Sequence, residues 1–146
     1  MARALVNPIE RPPYAAKAHP LGLEIEVTAA DWPGLLAAAV LAASDAVRPL
    51  GRFGTWTARR VSARGGSSEV LAGWLAQLAG DFGASGFLPA LVEVEKAGPA
   101  GASGVVRGGA EDAAEAPPAF VLRAVPASEV SVVAGAPWRA RFVLAR

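Results

Sequence analysis

Cysteine is absent from the 146 residues. Disulfides, thiolate zinc sites and a cysteine nucleophile are therefore excluded. Histidine occurs once, at His19. A lone imidazole beside a proline-rich stretch, with no obvious partner in sequence, reads first as a surface or strand-end residue. Charge is also scarce. Only 18% of residues are charged and the net charge is +1, which gives no broad electrostatic case for binding nucleic acid. Long apolar runs are missing too. "GLLAAAVLAA" is too short and too rich in alanine to span a bilayer, and "MARALVNPIERPP" has no apolar stretch of the secretory type. The expectation is a soluble cytoplasmic protein that makes no membrane contact.

What is present is apolar material, 53% of the chain, enough for a packed core in one domain. Residues 1–18 carry Pro8, Pro12 and Pro13 without a clear period and read as a surface arm; residues 19–146 read as one domain. "LGLEIEVTA" alternates, with Leu21, Leu23, Ile25 and Val27 on one face and Gly22, Glu24, Glu26 and Thr28 on the other, as a half-buried strand does. Asp31 can cap a helix with Pro33 in its first turn. Leu36, Val40, Ala43 and Val47 form its apolar stripe, and Pro49 and Gly51 end it. Thr55 to Ala63 reads as a strand. Ser67 or Ser68 can cap a second helix, whose stripe is Leu71, Trp74, Leu75, Leu78 and Phe82.

Beyond Gly86 the period is two. "ALVEVE", "GVVRGG", "AFVLRAV", "EVSVV" and "WRARFVLA" read as strands, the last two joined by "AGAP" as a hairpin. "RAVPASEVSVV" itself reads as a hairpin. The order of elements predicts an α+β two-layer sandwich, with both helices on one face of a mainly antiparallel sheet.

Few residues carry obvious chemistry. The pairs Glu24/Glu26 and Glu93/Glu95 could hold a hard cation or act as acid and base, although alternating glutamates are the ordinary solvent face of a strand. Arg59, Arg60 and Arg64 could join Arg139 and Arg141 in a phosphate patch, provided their strands are close. "GPAGASG" lacks the Lys-Ser/Thr and the following helix of a phosphate loop. No nucleophile–base pair or metal set stands out, so no enzyme is expected.

Five segments, in order, resemble the archease family over roughly residues 19–146. "HPLGLEIEV" resembles its His-Thr-Ala-Asp motif entering a strand, and "VLAGWLAQL" its Trp-Leu helix. "VVRGG" resembles its strand ending in Gly-Glu. "RAVPASEVSVV" resembles its Lys-Ala-Val-Thr-Tyr-His block, and "WRARFVLA" its closing strand. The resemblance implies an archease-like fold and an accessory protein that modulates a tRNA-splicing RNA ligase, or another RNA-processing enzyme, by protein–protein contact. It also implies a calcium site formed by two aspartates and a main-chain carbonyl. Those positions fall on Gly22, Leu144 and Ala145, so both carboxylates are missing, and no metal or other cofactor is expected unless Glu24 and Glu26 substitute. The partner-binding candidates that remain are His19, Arg123 and Ser128, the last standing where the family has histidine. The alternative is an interaction or structural module on the same fold with a different partner.

Overall fold

The computed structural model describes residues 4–6, 14–47, 57–109 and 125–145. The α+β class is observed. Two α-helices, α1 (Trp32–Val47) and α2 (Ser67–Ser85), combine with eight strands among the described residues. These are β1 (Ala4–Val6), β2 (Tyr14–His19), β3 (Gly22–Ala29), β4 (Thr57–Arg64), β5 (Leu88–Gly98), β6 (Gly101–Gly109), β7 (Ser131–Val133) and β8 (Trp138–Ala145).

The strands divide between two sheets. Sheet A has the order β1-β5-β6-β4 and sheet B the order β2-β3-β8-β7. Every pairing in both is antiparallel. Both helices lie on one face of sheet A, as the sequence predicts for a single sheet. Sheet B adds a layer, because α1 also packs against β3 and β8. The cause is the composition of α1. The stripe read from Leu36, Val40, Ala43 and Val47 is only part of what is buried: Leu35, Ala37, Ala39, Leu41 and Ala42 are fully buried as well. A helix apolar on all sides is stable only when enclosed, and its alanines let two sheets approach it closely.

The two polar residues near its end bolt it to the layers. The Ser44 hydroxyl donates to the Pro89 carbonyl on β5 at 2.6 Å. The Tyr14 hydroxyl on β2 donates to Asp45 Oδ2 at 2.7 Å. Successive residues on a helix point about 100° apart, so neighbours can address different sheets.

Helix ends follow from local chemistry. Asp31 Oδ1 accepts the Gly34 N–H at 2.8 Å, the cap expected from sequence. At α2 the expected serine cap is not used. Gly66 occupies the cap position, Ser67 and Ser68 lie inside the helix, and the Glu69 carboxylate reaches back to the Gly66 N–H at 3.5 Å. Gly86 closes α2 in a left-handed conformation, φ 75°, which glycine adopts without a Cβ penalty. The α2 stripe is buried as predicted, with Phe82 partly so.

Parts of the amino-terminal arm join the sheets: Ala4–Val6 pairs with β5 and Tyr14–His19 with β3. "RAVPASEVSVV" forms no hairpin within the described residues. Ala127–Glu129 is a single 3-10 turn, and the strand begins at Ser131. The hairpin across "AGAP" is present as β7–β8. The strand read at "AFVLRAV" and the helix stop at Pro49 and Gly51 lie outside the described residues, apart from Val125.

Candidate functional site

The register of sheet B gathers most of the singled-out positions at one end. His19 pairs with Gly22, and Gly22 with Ala145. β7 runs antiparallel to β8 with Ser131 opposite Arg141, so the 3-10 turn entering β7, which carries exposed Ser128, lies toward this same end. The order across the sheet end is His19, Gly22, Ala145, and the Ser128 turn packs against α2. Arg123 lies outside the described residues.

His19 closes the tight β2–β3 turn: its Nδ1 accepts the Leu21 N–H at 3.1 Å. This places the proton of the neutral ring on Nε2. Leu21 was expected inside, beside Leu23. It occupies the turn instead and is 67% exposed. Pro20 was the available signal, since proline favours a turn over a continuing strand. An exposed leucine beside a half-buried histidine is a surface feature that alternation alone missed.

The two carboxylate positions that the archease resemblance implies, 22 and 144, do not share a face of sheet B. Leu144 pairs with Leu23 and is 1% exposed, within the core. Gly22 pairs one position along, with Ala145. Side chains alternate along a strand, so positions 22 and 144 project to opposite faces of sheet B. Among the described residues no group of three or more His, Asp or Glu gathers.

The outer face of sheet B is a ladder of opposite charges. Lys17 Nζ meets Glu24 Oε2 at 3.0 Å, and Arg141 Nε lies 3.9 Å from Glu24 Oε1. Arg139 Nε lies 3.9 Å from Glu26 Oε1. The Lys17 hydrogen bond holds the Glu24 carboxyl below its ordinary value of 4.5, against the opposing effect of burial and with help from the Lys17 and Arg141 charges. The Glu24/Glu26 pair is thus engaged by cations on both neighbouring strands. A shallow depression of about 230 Å³ runs beside it, bounded by Glu26, Ser131, Val133, Arg139 and Arg141.

The five arginines do not come together. Arg59, Arg60 and Arg64 are on β4 in sheet A; Arg139 and Arg141 are on β8 in sheet B. Arg59 lies over the Phe87 ring, 4.9 Å from its centroid, and Arg60 meets Glu95 Oε1 at 3.5 Å.

No protein-family model matches this chain, and no curated protein matches it. Among the described residues no helix is long and apolar enough to cross a membrane.

Proposed function

We propose that this chain is a cytoplasmic, non-catalytic accessory protein that modulates an RNA-processing enzyme, in the manner of the archeases it resembles, without a divalent metal. It acts by protein–protein contact at the His19–Ser128 end of sheet B. One observation carries this reading. Segments more than a hundred residues apart, "HPLG" and "VLA", both of which carry the archease resemblance, meet at one end of sheet B, where β3 and β8 are adjacent. Exposed Leu21 supplies an apolar contact beside His19 at one edge of that end, and exposed Ser128 supplies a polar group toward the other, a mixture typical of interfaces.

The test is reconstitution with the host RNA ligase. The expected result is co-purification and faster ligase guanylylation, both lost with Leu21→Glu, with co-purification unchanged by chelators. A ligase that neither binds nor responds would leave the alternative, an interaction module with another partner. The buried Leu144 favours that second reading, because an apolar core residue stands where the family's site chemistry would be.

A further inference from the structure

A second surface, on the outer face of sheet A, is independent of the end of sheet B. A depression of about 320 Å³ lies over the β5–β6 hairpin, bounded among others by Ser62, Arg64, Lys96, Gly101 and Ser103. The register builds it. Lys96, Ser103 and Ser62 form one row across β5, β6 and β4, and Gly98, Gly101 and Arg64 form the next row on the same face. Strand spacing and rise make this a patch of about 10 by 7 Å. Its floor is bare backbone. A Cβ on Gly101, at φ 152°, would stand 2.5 Å from the Ala63 carbonyl oxygen, and a Cβ on Gly98 would meet nothing within 4 Å.

Two cations flank this floor. Arg64 and Lys96 are exposed, and neither makes an ion pair among the described residues. Glu95, next to Lys96 in sequence, pairs with Arg60, and Glu69 accepts the Gly66 N–H. We propose that this depression binds a phosphate group. The ammonium approaches from one corner and the guanidinium fork from the diagonal one, with the two serine hydroxyls as donors between them. Donors arriving from several directions suit a tetrahedral oxyanion, which offers oxygens all round; a planar carboxylate offers two. The group belongs to a small phosphate monoester or to the backbone of a nucleic acid.

The test is an NMR titration of the full chain with inorganic phosphate, at ionic strength held constant with chloride. Saturable shifts of the Arg64, Gly98, Gly101 and Ser103 amides are expected. The double variant Arg64→Ala/Lys96→Ala should weaken binding by at least about tenfold, while its circular dichroism stays unchanged because both side chains are exposed. Ser103→Ala, at the centre of the row, should weaken it less. Parallel titrations with a nucleoside monophosphate and a single-stranded RNA oligonucleotide separate the sources. Tighter, steeply salt-dependent oligonucleotide binding assigns a nucleic-acid backbone; tighter monophosphate binding assigns a small ligand. Shifts that do not saturate, or that survive in the double variant, overturn the proposal.

Discussion

At the scale of single residues, Asp31, Glu24 and Leu144 each carry a measurable consequence. Asp31 satisfies an otherwise orphaned N–H of α1, so Asp31→Ala should cost about 1 kcal/mol, read as a lower urea midpoint at unchanged slope. Glu24 titrates below its ordinary value in the folded state. Near pH 4.5 the unfolded chain therefore binds more protons. The contribution of Glu24 to stability is full above that pH and disappears as pH falls through the lowered folded value. Glu24→Gln should flatten the acid limb of the stability–pH curve and leave its shape near neutrality unchanged. Leu144 tests the metal positions that the archease resemblance implies. Placing carboxylates at both with Gly22→Asp/Leu144→Asp should destabilise the fold by at least about 3 kcal/mol, because one charge enters the core. Calcium should not rescue it, since the two side chains project to opposite faces; a calorimetric calcium signal with recovered stability would refute that geometry.

At the scale of elements, α1 and β4 show how neighbours complete what local sequence begins. β4 is an edge of sheet A, and edges invite pairing with other chains. Gln77 on α2 covers it: its amide accepts the Ser62 N–H at 3.4 Å and donates to the Ser62 carbonyl. Gln77→Ala should cost about 1 kcal/mol and increase self-association, visible in analytical ultracentrifugation. α1 presents the opposite case, an element with no free side. Ala39 is fully buried, so Ala39→Leu should cost about 1–3 kcal/mol through overpacking, whereas an alanine on an exposed helix face would accept leucine with little change.

At the scale of the whole molecule, three contacts hold the layers around α1. Ser44 reaches sheet A, Asp45 reaches sheet B through Tyr14, and Trp32 at the start of α1 stacks on Trp138 of β8 with ring centroids 5.7 Å apart. The proposed partner surface sits at an end of sheet B, outside this packing. Leu21→Glu should therefore abolish partner binding while leaving thermal stability within about 0.5 kcal/mol, as exposed substitutions do. A large loss of stability would show that Leu21 serves the fold.

Periodicity and local capping determined the two helices, the faces of Ile25 and Val27, the Asp31 cap and the β7–β8 hairpin, because each is set by spacing or by a neighbour within a few residues. Alternation could not show that the strands form two sheets. A half-buried strand looks the same whichever sheet receives it, and only the all-round burial of α1 decides that both sides of the helix are covered. The candidate sites were less legible still. The arginines of β4 and β8 look alike in sequence, and topology sends them to different sheets. Leu21 fits the apolar face by count, yet the His19–Leu21 turn exposes it. Lys96, Ser103, Ser62 and Arg64 are scattered over some forty residues and become neighbours only through the register of β4, β5 and β6. Local order follows from side-chain period and capping, which act along the chain. Sheet membership, register and surface clusters depend on non-local pairing, which tertiary packing alone selects.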